Sequence, residues 1–165
     1  MKDNKQQPDV ATKENDKEKE AEKKREQANR QANFMLVFGE VCWLLTNSKS
    51  HQYNCFLADL QWLAVPPVTR GQFKIFHNNN QPVGLAVWAY VSGEIEERLK
   101  QGPAKLRNND WKSGDKLWLI DIIAPYGGAE KMIEVLKESA FKDKEFKYQK
   151  FSAKGGREII TVPGK

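Results

Sequence analysis

The chain has 165 residues, 30% charged and 39% hydrophobic, with a net charge of +5 at pH 7. That length suits one domain with a sizeable core, and the modest positive charge admits an acidic partner without selecting one. No arginine cluster or aromatic-rich basic motif points to nucleic acid, and no run of about 18 apolar residues points to stable membrane insertion.

Residues 1–33 carry nine Lys/Arg and eight Asp/Glu and almost nothing large and apolar. The expectation is a charged arm, solvated and partly helical or disordered, ahead of a folded domain spanning 34–165. The N-terminal stretch lacks the apolar core of a signal peptide. Cys42 and Cys55 supply neither a disulfide framework nor a zinc site, which fits a reducing cytoplasm.

FMLVFGEVCWLLTNS (34–48) repeats apolar residues at three- and four-residue spacing through Phe34, Val37, Phe38, Val41, Leu44 and Leu45, so the first core helix is expected there. A polar break, KSHQYN, follows. CFLADLQWLAVPPV (55–68) reads as a short helix ending before Pro66. QFKIF (72–76) and VGLAVWAYVS (83–92) read as strands of a hairpin about the turn HNNNQP. SGEIEERLKQ (92–101) reads as a helix capped by Ser92, with Glu94, Glu96 and Glu97 placing acids in its first turn. NNDWKSGDK (108–116) is a loop, and KLWLIDIIA (116–124) the most apolar strand. AEKMIEVLKESAF (129–141) reads as an amphipathic helix, and FKYQKF (146–151) and REIITV (157–162) as strands joined across Gly155-Gly156. This order predicts an α+β fold with a mixed, largely antiparallel sheet flanked by helices.

Asp121 interrupts the apolar strand. An ionised carboxylate there costs several kcal/mol, roughly, unless it is paired. It either bonds backbone amides and fixes a turn, or it orients and charges an imidazole. His77 falls in the expected hairpin turn, so His51 is the imidazole available, although spacing does not establish contact across 70 positions. Ser48, three residues before His51, can orient the ring if that turn is helical. Two histidines so placed argue against a metal site. Cys55, four residues after His51, is a weaker candidate for an activated thiol, and Cys42 reads as core. The APYGG turn, through Tyr126, Gly127 and Gly128, can present backbone amides to an anion. The five tryptophans read as core and rim anchors.

Several stretches together resemble the RTX toxin-activating lysine acyltransferases, the family of the hemolysin activator. They are GEVCWLLTNSKSH (39–51), VPPVTRGQF (65–73), PVGLAVWAYVS (82–92), DWKSGDKLWLIDIIAPYGG (110–128) and, weakly, FSAKGGREI (151–159). The resemblance implies a GNAT-like fold and transfer of a fatty acyl group from acyl carrier protein to internal lysine ε-amines of an RTX protoxin. It places the family's essential histidine on His51, its aspartate on Asp121 and a further serine on Ser48. The amides of Tyr126, Gly127 and Gly128, or the Ser48 hydroxyl, are then candidates for the oxyanion. No cofactor is expected to be permanently bound. Arg70, Lys74, Lys105, Arg107, Lys112 and Lys116 can steer the acidic carrier. A homodimer is left open. Two departures stand out. Hemolysin-type members have an Asn three residues before the proline where this chain has Leu63, so that its task is either dispensable or supplied by another group such as Asp59 or Gln61, and the charged arm has no counterpart in short-headed members. The rival readings are a coenzyme A-dependent small-molecule N-acyltransferase and a non-catalytic binding module.

Overall fold

The computed structural model describes residues 10–151 and 156–164. Residues 1–9 and Gly155 of the expected glycine link lie outside the described residues, as do Ser152, Ala153 and Lys154 of the FSAKGGREI stretch. A single helix, α1 (Val10–Asn47), runs from the charged arm into the apolar stripe, so the first core helix does not begin at Phe34. The arm consists of good helix formers with no apolar face, and every side chain from Lys17 to Asn33 is exposed. Ion pairs at i,i+4 spacing, Lys24–Glu20 at 3.0 Å and Arg30–Glu26 at 3.6 Å, line it. Exposed pairs of this kind add little stability. The chain divides into two compact units after Leu36.

In the second unit, α1 becomes amphipathic: Val41, Leu44 and Leu45 are buried, with Val37 and Phe38 packed at the edge of the same cluster. The segment beyond the polar break departs from expectation. A 3-10 turn at Leu57–Asp59 leads into α2 (Leu60–Leu63), and α3 (Val65–Arg70) then carries both prolines in its first turn. First-turn N–H groups have no intrahelical acceptor, so a residue lacking that hydrogen starts a helix here rather than stopping one. Gly71, left-handed at φ 65°, closes α3.

Strands β1 (Phe73–Asn78) and β2 (Gln81–Val91) form the expected hairpin. Its turn is Asn79-Asn80, both left-handed (φ 48° and 65°), the backbone that matches strand twist in a two-residue loop. His77 is therefore a strand residue opposite Pro82, not a turn residue. Its Nε2 lies 3.0 Å from Glu40 Oε1. α4 (Gly93–Gln101) begins at Ser92, whose Oγ accepts from the Ile95 N–H at 3.4 Å, as its sequence predicts. After a 3-10 turn at Asn108–Trp111 come β3 (Lys116–Ile123), α5 (Ala129–Glu138), β4 (Phe146–Phe151) and β5 (Arg157–Val162).

The sheet order is β1-β2-β3-β4-β5, with only β3 and β4 parallel, because α5 lies between them in the chain. This is the α+β, mostly antiparallel, helix-flanked architecture of a GNAT-like fold. One face of the sheet packs against α1, α2 and α4 through Leu44, Leu63, Leu99, Trp111 and Trp118. The other packs against α5 through Trp88, Leu119, Leu136, Phe141 and Phe146. Trp88, Trp111 and Trp118 are buried anchors, whereas Trp43 is exposed. Among the described residues, no helix is long and apolar enough to cross a membrane.

The SGD stretch before β3 is a clasp. Ser113 and Gly114 both donate backbone bonds to the Tyr90 carbonyl, and Ser113 Oγ accepts from the Ser92 N–H at 2.9 Å. A Cβ on Gly114 would lie 2.5 Å from the Val91 carbonyl oxygen and 2.7 Å from Ser92 backbone atoms. Backbone cannot yield as a flexible side chain can. Gly114→Ala should therefore cost about 1–3 kcal/mol, read as a fall of several degrees in Tm. An unchanged Tm would show that the clasp does not constrain the loop.

Candidate active site

The site begins with a break in the period of β3. Regular alternation from Leu117 and Leu119, which belong to the α5 face, would send Asp121 to that face as well. The register with β2 shifts instead: Trp88 pairs with Leu119 and Val87 with Asp121, leaving Ile120 as an extra residue. Ile120 packs with the α1-side cluster, and Val87, opposite Asp121, belongs to it too. The bulge thus turns the carboxylate toward the end of α1.

His51 waits there. α1 stops at Asn47, and the following turns are fixed by backbone bonds from His51 and Gln52 to the Ser48 carbonyl and from Asn54 and Cys55 to the His51 carbonyl. His51 Nε2 lies 2.9 Å from Asp121 Oδ2, joining residues 70 apart. The two side chains are 17% and 28% exposed, so the pair is sheltered yet open to a reactant. On the other side of the ring, Nδ1 is 2.8 Å from Ser48 Oγ and 3.0 Å from Ser50 Oγ. Ser48 reaches the ring from a turn after the helix rather than from a shared helical face. Ser50, unremarked in the sequence, is brought in by the same turn; two hydroxyls flanking one histidine in SKSH were the available signal.

The Asp121 hydrogen bond raises the His51 pKa; burial opposes that, and the carboxylate charge adds to it. Asp121 accepts best from a ring that donates at Nε2, which leaves Nδ1 as the lone-pair nitrogen of neutral His51. The arrangement can hold one tautomer, take a proton at Nδ1 and stabilise the resulting cation.

His51 and Asp121 stand on the wall of a cavity of about 650 Å³. β3 and β4 pair only through Leu117–Leu119 and Phe146–Tyr148. Beyond that, Leu119–Ile122 of one and Tyr148–Phe151 of the other line the cavity, with Leu99, Ala104 and Ile133 adding apolar walls. Leu63, at the position of the family's Asn, lines it as well. Nearby, Asp59 accepts from Lys105 Nζ, from Trp62 Nε1 at 2.9 Å and from the Phe56 N–H at 2.9 Å. These bonds, Lys105 first, hold its carboxyl well below the usual range. Asp59 is thus committed to a clamp between Lys105 and Trp62, both of which line the cavity.

The other sequence candidates separate. Tyr126, Gly127 and Gly128 form the turn into α5, with both glycines left-handed (φ 85° and 84°). None of the three lines the cavity, although the next two residues, Ala129 and Glu130, do. The Cys55 thiol is pushed up by burial and then by the charges of Asp59 and Asp121, the reverse of an activated nucleophile. Of the six basic residues, Lys105 lines the cavity, Lys116 pairs with Glu96 at 3.2 Å and Arg70 bonds Asn108 Oδ1 at 2.8 Å. Glu96, read from sequence as a first-turn acid, is buried. Burial would raise its pKa, but hydrogen bonds from Lys147, Lys116 and Trp118 outweigh this and hold it at about 2.

Residues 30–162 match the sequence profile of HlyC, the RTX toxin acyltransferase family. The RTX-II toxin-activating lysine-acyltransferase ApxIIC of Actinobacillus pleuropneumoniae is 28% identical over 129 residues, 78% of this chain and 73% of that protein. The protein-lysine myristoyltransferase RtxC of Kingella kingae is 34% identical over 89 residues, 54% of this chain and 53% of that protein. The protein-lysine palmitoyltransferase CyaC of Bordetella bronchiseptica is 35% identical over 89 residues, 53% of this chain and 47% of that protein. The chain thus spans about half the length of the latter two.

A raised folded pKa makes the His51 contribution to stability fully present below its ordinary value of 6.5, and that contribution is lost as pH rises through the folded value. Imidazole NMR checks the cause directly, with His77→Gln removing the second histidine. His51 should titrate above 6.5, and Asp121→Asn should bring its midpoint down. Equal midpoints in the two proteins would show that Asp121 does not charge the ring.

Proposed function

This chain belongs to the RTX toxin acyltransferase family, and we propose that it is a cytoplasmic protein-lysine acyltransferase that moves a fatty acyl group from acyl carrier protein to internal lysine ε-amines of an RTX protoxin. The observation that carries this reading is the His51–Asp121 hydrogen bond of 2.9 Å on the wall of an apolar cavity. Residues 34–165 hold the activity, and the charged arm ahead of them does not.

A lysine near neutral pH is almost entirely ammonium and cannot attack a thioester. The ammonium proton passes to water, and neutral His51, with Nε2–H donating to Asp121, takes at Nδ1 the further proton that the amine nitrogen loses as it becomes an amide. The amine nitrogen bonds to the thioester carbon, the carbon–sulfur bond breaks, and the departing thiolate recovers the proton from the imidazolium. Asp121 offsets the charge that forms on the ring, and Ser48 keeps the ring oriented. The tetrahedral intermediate carries an oxyanion, for which the Tyr126, Gly127 and Gly128 amides are the proposed donors; support comes from the two left-handed glycines opening α5 beside the cavity edge. The acyl chain lies in the cavity among Leu99, Ala104, Leu119 and Ile133, where each buried CH₂ contributes about 0.8 kcal/mol. Lys105, at the same cavity, is the basic side chain best placed to meet the acidic carrier.

Co-expression with its protoxin should add fatty acyl mass to one or a few internal lysines, and the bond should resist hydroxylamine, as an amide does. His51→Ala should lower transfer by at least ~10²-fold and, by leaving Asp121 unpaired, lower Tm, whereas His51→Gln, whose amide can still donate to Asp121, should lose as much activity with a Tm close to wild type. Mass spectrometry of the protoxin reads both. Unmodified lysines beside an acylated small amine would point to a coenzyme A-dependent enzyme, and no acylation of anything would point to a binding module.

A further inference from the structure

We propose that Ser50 is a further catalytic residue, whose hydroxyl passes the proton from the attacking amine to Nδ1 of His51. The proposal rests on the reading of His51 as the base. Two hydroxyls meet Nδ1, Ser48 at 2.8 Å and Ser50 at 3.0 Å, and they lie 3.0 Å from each other. Their surroundings differ. Ser48 is buried at 4% exposure and does not line the cavity. Ser50 is exposed and lines it beside His51. A group approaching Nδ1 from the cavity therefore meets the Ser50 oxygen first.

A hydroxyl both donates and accepts, so it serves the ring in either state of charge. With neutral His51, Ser50 O–H donates to the Nδ1 lone pair and its oxygen accepts from the incoming nitrogen. When the carbon–nitrogen bond forms, the nitrogen's proton moves to Ser50 Oγ as the Ser50 proton moves to Nδ1. The reverse shuttle then delivers a proton from the imidazolium to the leaving thiolate as the carbon–sulfur bond breaks. The products are an amide and a thiol, with Ser50 and His51 restored. Serving instead as the nucleophile would put an acyl ester on an exposed serine, open to water.

Ser50→Ala, Ser50→Thr and His51→Ala, made in the full chain, should be assayed with acyl-acyl carrier protein and protoxin, with Tm measured for each. Ser50→Ala should lower kcat by roughly 10-fold or more with little change in KM, and Ser50→Thr, which keeps the hydroxyl, should recover most of that loss. In mixed light and heavy water, wild-type rates should follow a bowed dependence, reporting more than one proton in flight, and Ser50→Ala a linear one. Wild-type kcat in Ser50→Ala beside an inactive His51→Ala would overturn the relay and leave the base in place. Activity in His51→Ala would overturn both. An acyl adduct on Ser50, found by intact mass, would overturn the relay in favour of a nucleophile.

Discussion

The His51–Asp121 hydrogen bond closes a chain of constraints that spans most of the compact unit. A carboxylate on a strand as apolar as LWLIDIIA needs a partner, because an unpaired charge there costs several kcal/mol, roughly. The partner comes from the turns that follow α1, on the face of the sheet that α1 covers. α1 must end at Asn47, the turns after it must fix His51, and β3 must bulge at Ile120 so that Asp121 faces them. The apolar packing of Val41, Leu44 and Leu45 against β2 and β3 sets where α1 ends relative to that bulge. The core therefore acts as a jig for two polar side chains.

The unit settles three of its acids in two ways, and the difference separates structure from chemistry. Glu96 is met by Lys147 at 2.7 Å, Lys116 at 3.2 Å and the Trp118 indole at 3.3 Å, so it is held ionised and inert. Asp59 is likewise saturated, by Lys105, Trp62 and the Phe56 amide. Asp121 is met by a single titratable ring that faces a cavity and whose second nitrogen still has proton-accepting capacity. A carboxylate paired with permanent cations forms a pair of fixed charge near neutral pH, whereas a carboxylate–imidazole pair can change charge there, at the ring.

Much of this was legible in the sequence. The 3.6-residue spacing through Val41, Leu44 and Leu45 gave the core face of α1, the HNNNQP cluster gave the hairpin, and Ser92 gave the α4 cap. Spacing and the family resemblance single out Ser48, His51 and Asp121, and the fold supplies their contacts. What escaped has physical reasons. A bulge adds one residue without changing composition, so alternation could not say which face Asp121 took. Proline disfavours helix at the residue before it yet is welcome in a first turn, and the sequence does not say which rule governs Pro66. His77 falls outside the turn because the loop tightens to Asn79-Asn80, two residues further on. Glu96 reads only as a first-turn acid because two of its lysines arrive from β3 and β4, and Ser50 goes unremarked because spacing does not show that a second hydroxyl reaches the ring.

The central claim is that His51, charged by Asp121, is the base for lysine acylation. The pH dependence of kcat/KM for transfer to a lysine-bearing protoxin segment tests it most directly. The account predicts a rate that rises with pH, with a change of slope above 6.5 that coincides with the His51 ring titration and is displaced downward when Asp121 is replaced by Asn. A rate that is level across that range, or a change of slope that Asp121→Asn does not move, would contradict it.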